Sequence, residues 1–133
     1  MRLSDLLERI SYTLVQGSID IPVGTLVYDS RKVEKDSVFV CISGSIRDAH
    51  DFIPDVISKG AAAVIVEKDV PAVDGNVTVV RVEDTRYALA CMSAAYFGYP
   101  AEKLITVGIT GTKGKTTTTY MMKSILEAAG MKV

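Results

Sequence analysis

The stretch that decides the fold is Leu104 to Ala129, which reads LITVGITGTKGKTTTTYMMKSILEAA. A β-branched run, Leu104 to Ile109, leads into a glycine-rich turn. From Lys115 the apolar residues Tyr120, Met121, Ile125, Leu126 and Ala129 recur at helical spacing. Strand, glycine loop and helix in that order are the setting in which such a motif becomes a phosphate site. Gly111 and Gly114 let the backbone curl with its amides pointing inward and no Cβ in the way. A helix that opens at Lys115 turns its unpaired N–H groups and its dipole toward the same anion.

Read this way, Gly111, Thr112, Lys113, Gly114, Lys115, Thr116 and Thr117 form an ATP-binding loop. Lys115 is the catalytic residue, long enough to reach the β- and γ-phosphates, and the Thr116 hydroxyl suits the attendant magnesium. One position departs from the usual pattern: Ile109 stands where such loops carry their first glycine, which is displaced here to Gly108. The plainer alternative is a glycine turn that only joins a strand to a helix.

The chain has 133 residues, a formal net charge of -1 and 48% hydrophobic residues, which suits one small domain plus part of another. No basic excess points to a nucleic acid. The first ten residues carry Arg2, Asp5, Glu8 and Arg9, too charged for a secretory core, and the longest apolar run, Ala61 to Val66, is far too short for a membrane span. The expected setting is the cytoplasm, with Cys41 and Cys91 as two buried, reduced thiols.

Taken in order, Leu3 to Ile10 predicts a short amphipathic helix. Tyr12 to Val15, Gly24 to Tyr28, Ser37 to Ile42, Ala61 to Val66 and Val77 to Val82 predict strands. Asp29-Ser30-Arg31 is a polar triplet at a strand end, and the only histidine, His50, lies in the loop Ile46 to Asp51. Phe52 to Lys59 reads as a helix burying Phe52, Val56 and Ile57, stopped by Gly60. Asp84 or Thr85 caps a helix running to about Phe97, whose Ala88, Ala90, Ala94 and Ala95 suggest close packing on a sheet. Gly98-Tyr99-Pro100 breaks the chain. The expected organisation is a small mixed-sheet α/β domain over 1–97, a linker over 98–103, and over 104–133 the opening strand, loop and helix of a P-loop NTPase-like domain. A lone strand–helix unit cannot bury both faces of its strand, so the chain reads as part of a larger enzyme.

Four stretches, spread over nearly the whole chain, carry a resemblance to the Mur ligases of bacterial peptidoglycan synthesis. They are DSR at Asp29 to Arg31, VFVCISG at Val38 to Gly44, DAHDFI at Asp48 to Ile53, and YPAEKLITVGITGTKGKTT at Tyr99 to Thr117. Within that family the chain resembles the branch that adds the third residue of the stem peptide. The resemblance implies that the first domain holds the uridine end of UDP-N-acetylmuramoyl-L-alanyl-D-glutamate, with Ser30 and the loop Ser45, Ile46 and Arg47 as contacts. It also implies a two-step reaction. ATP phosphorylates the peptide carboxylate, and the amine of a free amino acid (meso-diaminopimelate or L-lysine) displaces the phosphate. A monomeric parent enzyme is implied as well, inactive when cut to this length. Lys113 stands where the family loop has asparagine. Ala49 stands where this branch more often has glycine and the D-Ala-D-Ala-adding branch has alanine. The alternatives are that sister ligase, or a non-ligase P-loop nucleotide kinase or NTPase. His50 is expected to orient its loop rather than to act as an acid or base.

Overall fold

Three runs of apolar residues, Val38–Val40, Ala63–Val66 and Thr78–Val82, form the middle of a sheet and are buried almost throughout. The computed structural model describes residues 1–44, 48–73 and 75–133. These divide into two units, Met1–Pro100 and Ala101–Val133.

In the first unit the strands are β1 (Tyr12–Gln16), β2 (Leu26–Val27), β3 (Val38–Val40), β4 (Ala63–Val66) and β5 (Thr78–Val82). They form a five-stranded sheet in the order β1-β5-β4-β3-β2. Strands β2 to β5 are mutually parallel, with Phe39 opposite Val64 and Val64 opposite Val79. The first strand closes the edge antiparallel to β5, Tyr12 facing Val82, with a register shift between Leu14 and Gln16.

Successive side chains of a strand point to opposite faces, and a parallel sheet is covered on both, so its strands read as continuous apolar runs. On one face Val38, Val40, Ile65, Val80 and Val82 pack with Leu3, Leu6 and Leu7 of α1 (Leu3–Leu7). Ala88, Met92 and Ala95 of α3 (Thr85–Tyr96) complete that layer. On the other, Phe39, Cys41, Val64, Val66 and Val79 pack with Ile53 and Val56 of α2 (Ile53–Ser58). The result is a three-layer α/β/α arrangement, in keeping with the mixed α/β class expected from the sequence.

Several details differ from expectation. The buried side of α2 is Ile53 and Val56, whereas Phe52 and Ile57 are only half-buried. Residues Ala49–Phe52 form a 3-10 turn, so the α-helical phase starts at Ile53 and the inward face is rotated accordingly. On α3 the deep positions are Ala88, Met92 and Ala95; Ala90 is exposed, being off the i, i+4, i+7 stripe. Both cysteines are free, but only Cys41 is buried; Cys91 is half-buried.

Helix ends follow local rules. Asp84 caps α3, its Oδ1 accepting from the Arg86 and Tyr87 amides at 2.7 and 3.0 Å. At the other end Gly98 N–H donates to Ala95 O at 2.9 Å and Tyr99 N–H to Ala94 O at 2.7 Å, the Schellman pair. Tyr99 is left-handed (φ 54) and the Arg9 guanidinium lies 3.9 Å from its ring centroid. The same pair of bonds closes α2, from Gly60 to Ile57 O and from Ala61 to Val56 O.

The second unit holds one long helix, α4 (Lys115–Ala128). The strand expected over Leu104 to Ile109 does not form. A strand is held by cross-strand hydrogen bonds, and among the described residues this unit contains no strand to pair with it. Its Leu104, Ile105 and Val107 are exposed, as are Tyr120, Met121 and Ile125 of α4.

Candidate functional site

The carboxyl ends of the parallel strands carry the first group of candidate residues, the usual side for ligands in an open α/β sheet. After β2 the chain turns through a short 3-10 segment, Ser30–Lys32, capped by Asp29. The Asp29 carboxylate accepts from the Arg31 amide at 3.0 Å and from Arg31 Nε and Nη2 at 2.9 and 2.7 Å, a bidentate clasp. The guanidinium, first through these hydrogen bonds, holds the Asp29 carboxyl down at about 2. The turn is therefore closed by Asp29 and not by the Ser30 hydroxyl. From α2, Lys59 Nζ donates to the Ser30 carbonyl at 2.9 Å while paired with Asp55 at 2.7 Å.

Beside this turn lies a pocket of about 500 Å³ lined by Tyr28, Asp29, Ser30, Arg31, Phe39, Ala49 and Phe52. It brings the DSR triplet against Ala49 and Phe52, from a distant stretch of sequence, with the buried Phe39 also lining it. Aromatic walls with a hydroxyl and a guanidinium at the rim can stack a flat ring and bond a polar edge or an anion. Ser45, Ile46 and Arg47, expected to join this site, lie outside the described residues.

Asp48 caps the Ala49–Phe52 turn. Its Oδ1 accepts from the His50 amide at 3.0 Å and contacts His50 Nδ1 at 2.5 Å, and its Oδ2 pairs with Lys68. Lys68 and then the His50 amide hold this carboxyl well below the ordinary carboxylate range. His50 is buried, and its Nε2 accepts the Glu67 N–H at 3.2 Å. Glu67 in turn accepts from the Thr85 hydroxyl at 2.7 Å, and its carboxyl is lowered by hydrogen bonds from Ser43 and Thr85.

The glycine loop of the second unit precedes α4. Gly111 (φ +153) and Gly114 (φ +77) adopt backbone conformations that L side chains rarely take, and a Cβ on Gly114 would meet nothing within 4 Å. Gly114 is the N-cap and offers no side-chain bond, so the first-turn amides of α4 have no partner within the helix. Lys115 Nζ donates to Gly111 O at 2.7 Å, folding its side chain across the loop. Thr118 and Thr119 turn their hydroxyls back on the Gly114 and Lys115 carbonyls at 2.9 Å, whereas Thr116 and Thr117 stand exposed on the first turn. Thr112 and Lys113 are exposed as well. The exposed Thr116 and Thr117 hydroxyls thus stand beside the uncapped N-terminus of α4. Among the described residues no group of three or more His, Cys, Asp or Glu is placed to hold a metal.

The expected residues thus fall into two places. Ser30 stands in the pocket of the first unit, and Gly111 to Thr117 form one loop in the second. Tyr28, Phe39, Phe52, Lys59 and Lys68 were not singled out from the sequence. Phe39 and Phe52 read only as core residues, and no motif marks a lone lysine at a helix end.

A family profile described as "Mur ligase family, catalytic domain" matches residues 22–97. Among curated proteins, the UDP-N-acetylmuramoyl-L-alanyl-D-glutamate--2,6-diaminopimelate ligase of Clostridium perfringens is 48% identical over 130 residues, 98% of this chain and 27% of that protein. The ligase of the same name from Alkaliphilus metalliredigens is 46% identical over 133 residues, 100% of this chain and 27% of its own. Among solved structures, the UDP-N-acetylmuramoylalanyl-D-glutamyl-2,6-diaminopimelate--D-alanyl-D-alanyl ligase of Acinetobacter baumannii superposes with a TM-score of 0.70 at 30% identity, covering 96% of this chain and 28% of that one. The MurF ligase of Thermotoga maritima in complex with ADP does so with a TM-score of 0.56 at 30% identity, over 78% of this chain and 23% of its own. The chain therefore spans about a quarter of the length of the proteins it resembles.

Proposed function

We propose, on the premise that the chain belongs to the Mur ligase family and within it is homologous to the UDP-N-acetylmuramoyl-tripeptide synthetases, that it supplies the nucleotide-sugar pocket and the phosphate loop of an ATP-dependent amino-acid ligase. The observation that carries this reading is the pocket in which Ser30 meets Ala49 and Phe52. Motifs far apart in sequence converge there on one aromatic-walled space sized for a base and sugar. Residues 1–97 take the uridine end of UDP-N-acetylmuramoyl-L-alanyl-D-glutamate, Ser30 bonding the uracil edge or a diphosphate oxygen, with Ser45, Ile46 and Arg47 as further contacts. After a linker over 98–103, residues 104–133 open the ATP domain.

In the reaction the γ-phosphoryl group passes from ATP to the terminal carboxylate of the peptide, giving an acyl phosphate and ADP. The amine of the incoming amino acid then attacks the acyl carbon, and phosphate leaves. A carboxylate is a poor electrophile, and the phosphoryl group supplies the leaving group it lacks. Lys115 and the α4 amides offset charge that develops on the transferring oxygens. Magnesium would supply further neutralisation; Thr116 is the ligand this chain offers. The setting is the cytoplasm, where both nucleotides are found, and among the described residues no helix is long and apolar enough to cross a membrane. The parent acts as a monomer, and the 133-residue chain alone does not turn over.

The names of the relatives support diaminopimelate as the incoming amino acid. Alanine at position 49 favours the D-alanyl-D-alanine branch as the second reading, but the identities of 48% and 30% weigh toward the first. Family membership leaves nothing to support a nucleotide kinase. Calorimetric titration of the chain with UDP, and separately with magnesium-ATP, tests the proposal. Saturable one-to-one UDP binding that persists when residues 101–133 are deleted is expected. A chain that folds but ignores UDP would sink it.

A further inference from the structure

We infer that Lys68, acting through Asp48 and His50, positions the Ala49–Phe52 turn and thereby sets the wall of the Ser30 pocket. The inference rests on that pocket being the UDP site.

The turn is a partition between two spaces. Ala49 and Phe52 face the Ser30 pocket. On its other side, His50 and Asp51 face a cavity of about 600 Å³ shared with Lys68 and Val70. Ala49 and Phe52 pack on the core from one side, and polar bonds hold the turn on the other. Those bonds form one chain leading back to the sheet. Lys68 and Glu67 directly follow β4, whose four residues are all buried. Lys68 pairs with Asp48 Oδ2, the Asp48 Oδ1 takes both the His50 amide and ring, and the Glu67 N–H pins the far side of that ring.

The same bonds engage both ring nitrogens of His50. Nε2 takes the Glu67 N–H while Nδ1 faces Asp48. Lys68 is a positioning residue: it borders the rear cavity and not the Ser30 pocket. The Lys68 ammonium, ahead of the His50 amide, lowers the Asp48 carboxyl. Other charges near Lys68 are Asp51 and Glu67, both of the sign that retains its proton.

The test uses the 133-residue chain with Lys68→Ala and Lys68→Arg, neither of which touches the core. Amide hydrogen exchange and UDP titration are measured on each. An exposed ion pair of this kind contributes up to about fivefold in an equilibrium. Lys68→Ala is therefore expected to speed exchange at the His50 and Asp51 amides and weaken UDP by about threefold to fivefold. Exchange at Val64 and Val80, and ATP affinity, stay unchanged, and Lys68→Arg returns both readouts to within about twofold. Unchanged exchange in the turn, or faster exchange with undiminished UDP affinity, overturns the inference while leaving the pocket standing. A loss that arginine does not recover overturns it too, marking the ammonium as a direct ligand. A wild-type chain that does not bind UDP removes the pocket reading and this inference together.

Discussion

Alanine at Gly17 should cost far more than alanine at a glycine of similar backbone. Gly17 follows β1 with φ +82, and a Cβ built on it lies 2.6 Å from Thr78 Oγ1 and 2.9 Å from Thr78 Cα. The left-handed conformation alone costs a non-glycine residue roughly 1–2 kcal/mol. The contact with Cα is a second charge against the variant, because β5 is a central strand whose backbone is bonded on both sides. Overpacking of that sort costs about 1–3 kcal/mol. Thr78 Oγ1 also donates to Ser18 O at 2.9 Å and accepts from Ser18 N–H at 3.2 Å. Displacing it puts bonds worth about 1 kcal/mol each at risk. Conformation and overpacking together come to about 2–5 kcal/mol, and loss of both bonds would add about 2 more. Gly75 separates the parts: its φ is +92, yet nothing lies within 4 Å of the added methyl. Urea denaturation followed by circular dichroism should place Gly17→Ala about 2 kcal/mol below Gly75→Ala. Equal losses would show that β5 yields freely and that the contact argument is wrong.

Ser30→Ala should weaken UDP about two- to tenfold, the loss of one neutral hydrogen bond, and leave ATP affinity unchanged; a change confined to ATP would move the uridine site elsewhere. Lys115→Ala should cost at least about tenfold in magnesium-ATP binding and two or more orders of magnitude in kcat of a ligase of the relatives' length. Lys113→Asn, at an exposed position, should change ATP affinity by less than about tenfold, or 1.4 kcal/mol; a larger effect would make Lys113 a ligand. The carboxyls of Asp29, Asp48 and Glu67 are all lowered on folding, so as pH falls the unfolded chain takes up protons first. Their stabilisation is complete above the ordinary carboxylate range, about pH 4, and is lost toward about pH 2. Melting temperature should fall through that window, and less steeply in Lys68→Ala; a flat profile would contradict the pairing.

Strand positions and the caps of α3 and α2 were legible because each rests on nearest neighbours: apolar runs, an Asp before a helix, a Gly after one. The phase of α2 was not, since only the 3-10 turn before Ile53 tells which side faces inward. Leu104 to Ile109 has every local mark of a strand and forms none, for a strand is a property of two segments. Of the candidate site, Ser30 was marked by resemblance alone, whereas the glycine loop could be read as a motif whose chemistry is local. Phe39, Phe52 and Lys59 could not, because an aromatic in a core run looks the same whether it fills the interior or floors a pocket. Lys68 became legible only through Asp48, twenty residues away in sequence and adjacent in space.

The order of the strands also bears on how the chain is made. Strands β2, β3, β4 and β5 lie side by side in the sequence in which they leave the ribosome, so the sheet can be laid down one strand at a time. β1, which precedes these four, breaks that order. Its only partner is β5, the last of the set, with Tyr12 facing Val82. At roughly 5–20 residues per second the N-terminal edge waits several seconds for its neighbour. During that interval β1 has no strand to pair with. A nascent chain stalled just short of Thr78 would hold β1 without the strand it pairs with, and α1 without the α3 face it packs on.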